Sequence, residues 1–342
     1  MNSIDLYDGI TLHQGDCRDI MRTYPDQHFD AVITDPPYGI SFAGEKWDTA
    51  TPHGFQAWAQ SWGEEAQRVI KPGGYMLAFS ATRTYHRLTS GLEDAGFEIR
   101  DAMAWIRADG KPAGMDLSSA FDRDAGVLDQ REGRDVREWA DENTATHMSS
   151  HKLHATGEPI TDAAKAWEGW GIGLKPAWEP IVVARRPLEA RLVDNVRAHG
   201  TGAMNIRAGM DAAGGSYPPN LLMGERALAA AVEQGAPDHV WPVFRYQPKA
   251  PTSERPKVGG VQHVTVKPLE LMRYLIRLVV KPGSLILEPF AGSGTTLQAA
   301  AMENTRAVGC ELDDRYIPLI KERFKHGIEA PLDLFTLGDD AA

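Results

Sequence analysis

The chain has 342 residues, 42% of them hydrophobic and 24% charged, with a formal net charge of −11. That length suffices for one large core carrying a substantial insertion, no apolar run approaches the ~18 residues of a membrane span, and the start MNSIDLYDGI has no basic stretch before an apolar core. A cytoplasmic location with no membrane association is therefore expected, and two cysteines, Cys17 and Cys310, are too few for a disulfide framework or a Cys-type zinc site.

In chain order, residues 10–16, 29–35 and 74–80 are short apolar runs ending in polar or small residues, separated by stretches long enough for helices. This alternation predicts parallel strands with crossover helices. Residues 55–70 carry apolar positions at helical spacing, and Lys71-Pro72-Gly73-Gly74 is expected to end that helix. Residues 98–107 and 180–186 read as two further strands, an antiparallel pair at a sheet edge. Residues 108–177 and 188–262 are irregular and look inserted. Order returns with a predicted helix at 267–280, a strand at 284–290, a glycine turn, a helix at 295–303, a strand at 306–312 and a helix at 315–325. The last residues, from 331, read as a tail.

The stretch ILEPFAGSGTTLQAA, 286–300, runs strand, glycine turn, helix. Gly292 and Gly294 let the backbone turn sharply and approach a ligand, at which the following helix directs its free N–H groups. Glu311 ends the next strand, where a carboxylate can accept hydrogen bonds from both ribose hydroxyls. A triphosphate loop would need Gly-Lys-Ser/Thr, but Thr295 follows Gly294. A nicotinamide fingerprint would need a third Gly or an Ala where Leu297 stands. What remains is the Phe-x-Gly-x-Gly form that suits S-adenosylmethionine.

The other motif is VITDPPYGIS, 32–41. An acid at the C-terminal end of a parallel strand lies over the ligand crevice. Pro36 and Pro37 lack N–H groups and stiffen the loop, leaving the Pro36 carbonyl free to accept, and Tyr38 offers a flat face. If the Asp35 carboxylate takes one N–H of an exocyclic base amine and the Pro36 carbonyl takes the other, the nitrogen lone pair can turn toward a methyl donor. Positioning and electrostatics then suffice without a nucleophilic residue. Stacking on Tyr38 would hold a flipped-out base. Carbon-5 methylation of cytosine is disfavoured, because neither Cys17 nor Cys310 follows a proline.

With both motifs in this order, the chain resembles the β class of amino-methylating (adenine-N6 or cytosine-N4) DNA methyltransferases of bacteria and phages. The resemblance runs through residues 12–40, 173–187, 199–206 and 263–300. It implies an α/β fold: a circularly permuted, Rossmann-like seven-stranded S-adenosylmethionine-dependent methyltransferase sheet with irregular target-recognition inserts. Residues 1–107 would form the catalytic half, 108–262 the insert with an edge strand near 180–187, and 263–330 the cofactor half. Asp35, Pro36, Pro37 and Tyr38 would be catalytic. Asp16, Cys17, Asp35, His263, Thr265, Lys267, Pro268, Phe290, Ala291, Gly292, Ser293, Gly294, Thr295, Glu311 and Leu312 would line the cofactor. An Asp at the first motif position leans toward adenine in double-stranded DNA. Cytosine-N4, or a catalytically silent DNA-binding protein of the same fold, are the alternatives. A homodimer is expected by resemblance, and a restriction endonuclease partner is left open.

The acidic net charge argues against a polyanionic partner, but residues 241–282 hold eight Lys or Arg against two Glu. Arg185, Arg186, Arg245, Lys249, Arg255 and Lys257 are the candidate phosphate contacts; a merely solvated basic surface is the plainer alternative. Trp47 and Asp48 are expected in a lid over the flipped base. His147, His151 and His154 fall on one helical face, yet no Cys or acid completes a zinc pattern, so no metal is expected. Trp167, Trp170 and Trp178 read as packing residues.

Overall fold

The computed structural model describes residues 2–41, 48, 51–106, 115–131, 157–174, 176–207, 217–224, 233, 250–325 and 328. Its strands are β1 (Asn2–Tyr7), β2 (Ile10–Gln14), β3 (Phe29–Thr34), β4 (Ile70–Phe79), β5 (Glu98–Ile106), β6 (Trp178–Arg185), β7 (Leu221–Met223), β8 (Lys257–Val258), β9 (Val261–Gln262), β10 (Leu285–Glu288) and β11 (Arg306–Glu311). Its α-helices are α1 (Cys17–Met21), α2 (Pro52–Val69), α3 (Tyr85–Asp94), α4 (Leu117–Asp124), α5 (Asp162–Ala166), α6 (Leu192–His199), α7 (Leu269–Val279), α8 (Thr295–Met302) and α9 (Ile317–Phe324). Residues 1–108 with 178–342 form one compact unit and residues 109–177 a second.

The larger unit is built on a mixed sheet of order β1-β2-β11-β10-β3-β4-β6-β5-β7. From β2 to β4 the strands are parallel, and β6 runs antiparallel to both β4 and β5. The two strands from the end of the chain, β10 and β11, thus lie between β2 and β3 from its beginning. The seven strands from β2 to β5 are those predicted, and β1 and β7 add one strand at each edge. One predicted detail is corrected. The strand near 180–187, expected at the sheet edge, is interior, because β5 and then β7 lie outside it. Its residues from Pro180 to Arg185 are all buried, the continuous pattern of a strand covered on both faces.

Side-chain alternation sorts the sheet into two cores. Ala31, Ile33, Leu77, Phe79, Ile181 and Val183 face one way, against α7, α8 and α9. Val32, Met76, Ala78, Val182 and Ala184 face the other way, toward α1, α2 and α3. Helix α2 starts where the Thr51 side chain accepts from the Gly54 N–H with Pro52 in the first turn. It buries Phe55, Ala59, Trp62, Ala66 and Val69, a stripe at the helical period whose large members each contribute ~1.5–3 kcal/mol on burial. The Lys71-Pro72-Gly73-Gly74 run does not merely end α2. It is already inside β4, which starts at Ile70, and the pairing with β3 shifts register between Phe29 and Ala31.

The smaller unit is organised by a buried carboxylate. Asp122 accepts from the N–H groups of Ile160 and Thr161, the Thr161 hydroxyl at 2.7 Å and the Arg131 guanidinium at 2.7 Å. Burial by itself would raise its pKa, but these donors bring it well below the usual carboxylate range. None of the described helices is long and apolar enough to cross a membrane.

Candidate functional site

From β3 the chain crosses through α2 to β4 on one side; from β10 it crosses through α8 to β11 on the other. The direction of winding therefore reverses between β3 and β10, and in an open α/β sheet the crevice at that reversal, beyond the carboxyl ends of the strands, is where ligands sit. Both sequence motifs end there. Thr34, the last residue of β3, donates its hydroxyl to the Glu288 carboxylate at the end of β10, which places Asp35 beside the turn that begins at Phe290.

Asp35 is held by two donors. Its Oδ1 accepts from the Tyr38 hydroxyl at 2.8 Å and its Oδ2 from Lys267 Nζ at 2.6 Å. Lys267, 8% exposed at its side chain, lies 3.0 Å from the Tyr38 oxygen and 3.4 Å from Glu179 Oε2, with its ammonium 4.8 Å from the centre of the Phe79 ring. Glu179 Oε2 is also 3.2 Å from the Tyr38 hydroxyl. Burial, followed by the charges of Asp35 and Glu179, pushes the phenol well above its ordinary range, so Tyr38 stays protonated and donates. The backbone after Pro37 is anchored by Asp48, 1% exposed, whose Oδ1 accepts the N–H groups of Tyr38 (2.6 Å) and Gly39 (2.7 Å) and whose Oδ2 accepts that of Ile40 (3.2 Å). Asp48, expected in a lid, is instead the buried anchor of the motif loop; Trp47 lies outside the described residues.

The neighbouring strand ends carry the cofactor candidates. Gly292 and Gly294 have φ of +52° and +81°, a region open to glycine at little cost, and Gly294 caps α8. The Gly292 N–H donates to Glu311 Oε2 at 2.7 Å and the Asp313 N–H to Oε1 at 2.8 Å. Burial raises Glu311 to about 7 despite these donors. Asp16 caps α1 and is gripped by Arg18, which holds its carboxyl below the usual range, and the Gly15 N–H to Glu311 carbonyl bond of 2.9 Å sets these two acids on adjacent strand ends. Phe290 packs its ring 5.5 Å from Trp58 and 5.3 Å from Trp62, and the Ala291 N–H donates to the Cys310 carbonyl. His263 lies against Gly292 and edge-on to Tyr316, with Nδ1 at the Thr265 carbonyl. Ser293 and Thr295 are buried and accept from Arg323, which also donates to the Gln298 side chain and the Glu254 carbonyl. Pro268 begins α7, Cys17 is buried with its thiol pushed up to about 12, and Leu312 is 66% exposed beside Glu311.

These residues fit S-adenosylmethionine. Each Glu311 oxygen accepts one N–H and keeps a lone pair for a ribose hydroxyl, Leu312 and Phe290 offer apolar surface for a purine, and the α8 N-terminus above the buried Arg323 favours a carboxylate. Lys267, expected to line the cofactor, donates to Asp35, which is expected to line it too. Two predicted phosphate contacts are corrected. Arg185 is 8% exposed and pairs with Glu98 at 2.6 Å, because it lies on the interior strand β6. Arg186 is tied to the carbonyls of Arg68 and Ile70. Lys257 is exposed on β8, and Arg255 donates to the Ala250 carbonyl. Arg245, Lys249, His147, His151 and His154 lie outside the described residues. Sequence reasoning missed Glu179, Glu288 and Arg323. The only signal for Glu179 and Glu288 was an acid within an apolar strand run, next to Pro180 in one case and Pro289 in the other.

A family model described as DNA methylase matches residues 29–322. The type II methyltransferase M.HindIII of Haemophilus influenzae is 28% identical over 268 residues, 77% of this chain and 67% of that protein. YubD of Escherichia coli K12 is 26% identical over 167 residues, 43% of this chain and 64% of YubD. Among solved structures, the cytosine-N4-specific PvuII DNA methyltransferase superposes with a TM-score of 0.51 at 14% identity, covering 92% of this chain and 90% of that one. TTHA0409 of Thermus thermophilus does so with a TM-score of 0.50 at 18% identity, covering 94% and 96%. At such identities the superpositions speak for the shared α/β methyltransferase fold. With the family match extending over most of its length, the chain belongs to the N6/N4 DNA methylase family and is a DNA methyltransferase whose cofactor is S-adenosylmethionine.

Proposed function

We propose that this DNA methyltransferase modifies the N6 amine of an adenine flipped out of double-stranded DNA, with Asp35, Pro36, Pro37 and Tyr38 as its catalytic loop. The observation that carries the reading is Asp35 at the reversal point of the sheet, its carboxylate held by Tyr38 and Lys267 beside the glycine turn. When bound, S-adenosylmethionine supplies the methyl group that the nitrogen lone pair takes up. Asp35 accepts one amine hydrogen and the Pro36 carbonyl the other, which turns the lone pair out of the ring plane. The Asp35 charge stabilises the positive charge that grows on nitrogen. Asp48 keeps the loop in place through three main-chain bonds, so orientation is established before the base arrives.

The cofactor contacts are assigned to Asp16, Phe290 to Thr295, Glu311 and Leu312, with His263 and Thr265 buttressing the turn. Target recognition is assigned to residues 108–177 and 188–262, since the sheet ends are occupied with cofactor and chemistry. Phosphate contacts are assigned to Arg245, Lys249, Arg255 and Lys257, and the enzyme is expected to act in the cytoplasm. Adenine is preferred over cytosine because an Asp, rather than a Ser, opens the catalytic motif. The test is to incubate the protein with unmethylated DNA and labelled S-adenosylmethionine, digest, and identify the nucleoside. N6-methyladenine is expected. N4-methylcytosine in its place overturns the choice of base, and unlabelled DNA overturns the activity.

A further inference from the structure

At the crevice the two motifs are tied by a side chain. The last paired residues of β3 and β10 are Val32 and Leu287, whereas on its other side β3 stays paired with β4 as far as Thr34 and Ala78. Pro289, which follows β10, has no N–H with which to extend the ladder. The strand ends that carry Asp35 and Phe290 are thus free to part, as a crevice at the reversal of the sheet requires. Glu288, 1% exposed, spans the gap. Its Oε1 accepts from the Thr34 hydroxyl and from the Phe290 N–H at 3.0 Å, and its Oε2 accepts from the Thr296 hydroxyl at 2.6 Å. Thr34 directly precedes Asp35, Phe290 opens the glycine turn, and Thr296 lies in the first turn of α8. Burial raises Glu288 to about 8, and the nearby Asp35 charge adds to the rise. The protonated form keeps both hydroxyl contacts, because a hydroxyl can accept as well as donate, and it sets no second charge against Asp35.

We propose that Glu288 is a positioning residue for methyl transfer: through Thr34 and Thr296 it fixes the catalytic loop to the cofactor turn, and so sets the distance and angle between the target amine and the methyl donor. In the transfer, the amine nitrogen bonds to the methyl carbon while the carbon–sulfur bond breaks with its electron pair left on sulfur, and the nitrogen then sheds one proton to solvent by way of Asp35. Such a displacement depends on alignment, and a misplacement of about 1 Å can cost roughly 10²-fold. The inference rests on the assignment of Asp35 as the acceptor of the amine hydrogen.

The test is single-turnover methyl transfer to DNA, with S-adenosylmethionine affinity measured separately by calorimetry. Thr34→Val removes one arm of the bridge, and should slow transfer about tenfold or more while changing cofactor affinity less than about threefold. Thr34→Ser, which keeps the hydroxyl, should be faster than Thr34→Val by about threefold or more. Thr296→Val cuts the same bridge from the other side, so the double variant should be at most about twofold slower than the slower single variant. Transfer at the unmodified rate in Thr34→Val, a Thr34→Ser enzyme as slow as Thr34→Val, a loss that lies in cofactor affinity, or losses that multiply in the double variant would each overturn the proposal. If Thr34→Val does not fold, Thr296→Val decides: slower transfer with cofactor affinity kept supports the bridge, and either an unmodified rate or a loss in affinity overturns it. Asp35→Ala separates the two readings: turnover retained there sinks the clamp itself, whereas an inactive Asp35→Ala beside a fully active Thr34→Val sinks only the role of Glu288.

Discussion

Two kinds of acid stand side by side at the carboxyl ends of this sheet. Asp35 has a cation against it, Lys267 at 2.6 Å. Glu288 and Glu311, at the ends of β10 and β11, are held by neutral donors alone among the contacts described: Thr34, Thr296 and the Phe290 N–H for the first, and the Gly292 and Asp313 N–H groups for the second. Burial therefore dominates there and raises Glu288 to about 8 and Glu311 to about 7. Residues of one chemical type thus acquire different surroundings at neighbouring strand ends, a cation beside Asp35 and burial among neutral donors at Glu288 and Glu311.

The largest effect that can break this contrast is at Asp35. Asp35→Ala should lower methyl transfer by at least about 10²-fold with cofactor affinity nearly unchanged, whereas Glu311→Gln should act mainly on cofactor affinity; measuring turnover and calorimetric binding on both variants checks the division. Next in size is the anchor of the cofactor turn. Arg323→Ala strips donors from Ser293, Thr295, Gln298 and the Glu254 carbonyl, and should cost roughly 3 kcal/mol in chemical denaturation.

A smaller effect is a pH profile. Ribose hydroxyls donate to an ionised Glu311, so S-adenosylmethionine affinity should rise as pH climbs through about 7. The gain between pH 6 and 8 should be up to about tenfold, level above that, and vanish in Glu311→Gln. A flat profile in the unmodified protein contradicts a neutral Glu311. The smallest effect concerns Glu288. Its folded pKa of about 8 lies above the ordinary 4.5, so the folded state holds a proton that the unfolded state has released. Stability from this group is complete below about 4.5 and is lost as pH rises toward 8. Glu288→Gln escapes that loss, and its melting temperature should gain on the unmodified protein from pH 6 to pH 8.

Much of this architecture was legible because burial on both faces imposes continuous apolar runs. Strands β3, β4, β10 and β11 are largely such runs, β2 showed itself by the alternation of buried Ile10 and Leu12, and the helical period of Phe55, Ala59, Trp62, Ala66 and Val69 announced α2. Strand β1 was missed because its apolar residues Ile4, Leu6 and Tyr7 alternate with polar ones over only six positions, β7 because it has only three residues, and α6 because it is short and set between Pro187 and Gly200. The interior place of β6 was missed because pairing order is not written in any local pattern. The same holds for Arg185, whose charge suggested a surface contact until its strand was placed between two others.

The amino-acid order alone determined the two motifs, the strand-end positions of Asp35 and Glu311, and the glycine turn between them, because those depend on local backbone geometry and hydrophobic period. Only the folded chain decided that Lys267 and Glu179, 232 and 144 residues beyond Asp35, would meet in one partly buried cluster with it. Contacts across such separations depend on which strands become neighbours, and that is settled by the collective burial of the sheet, not by any residue's own sequence surroundings.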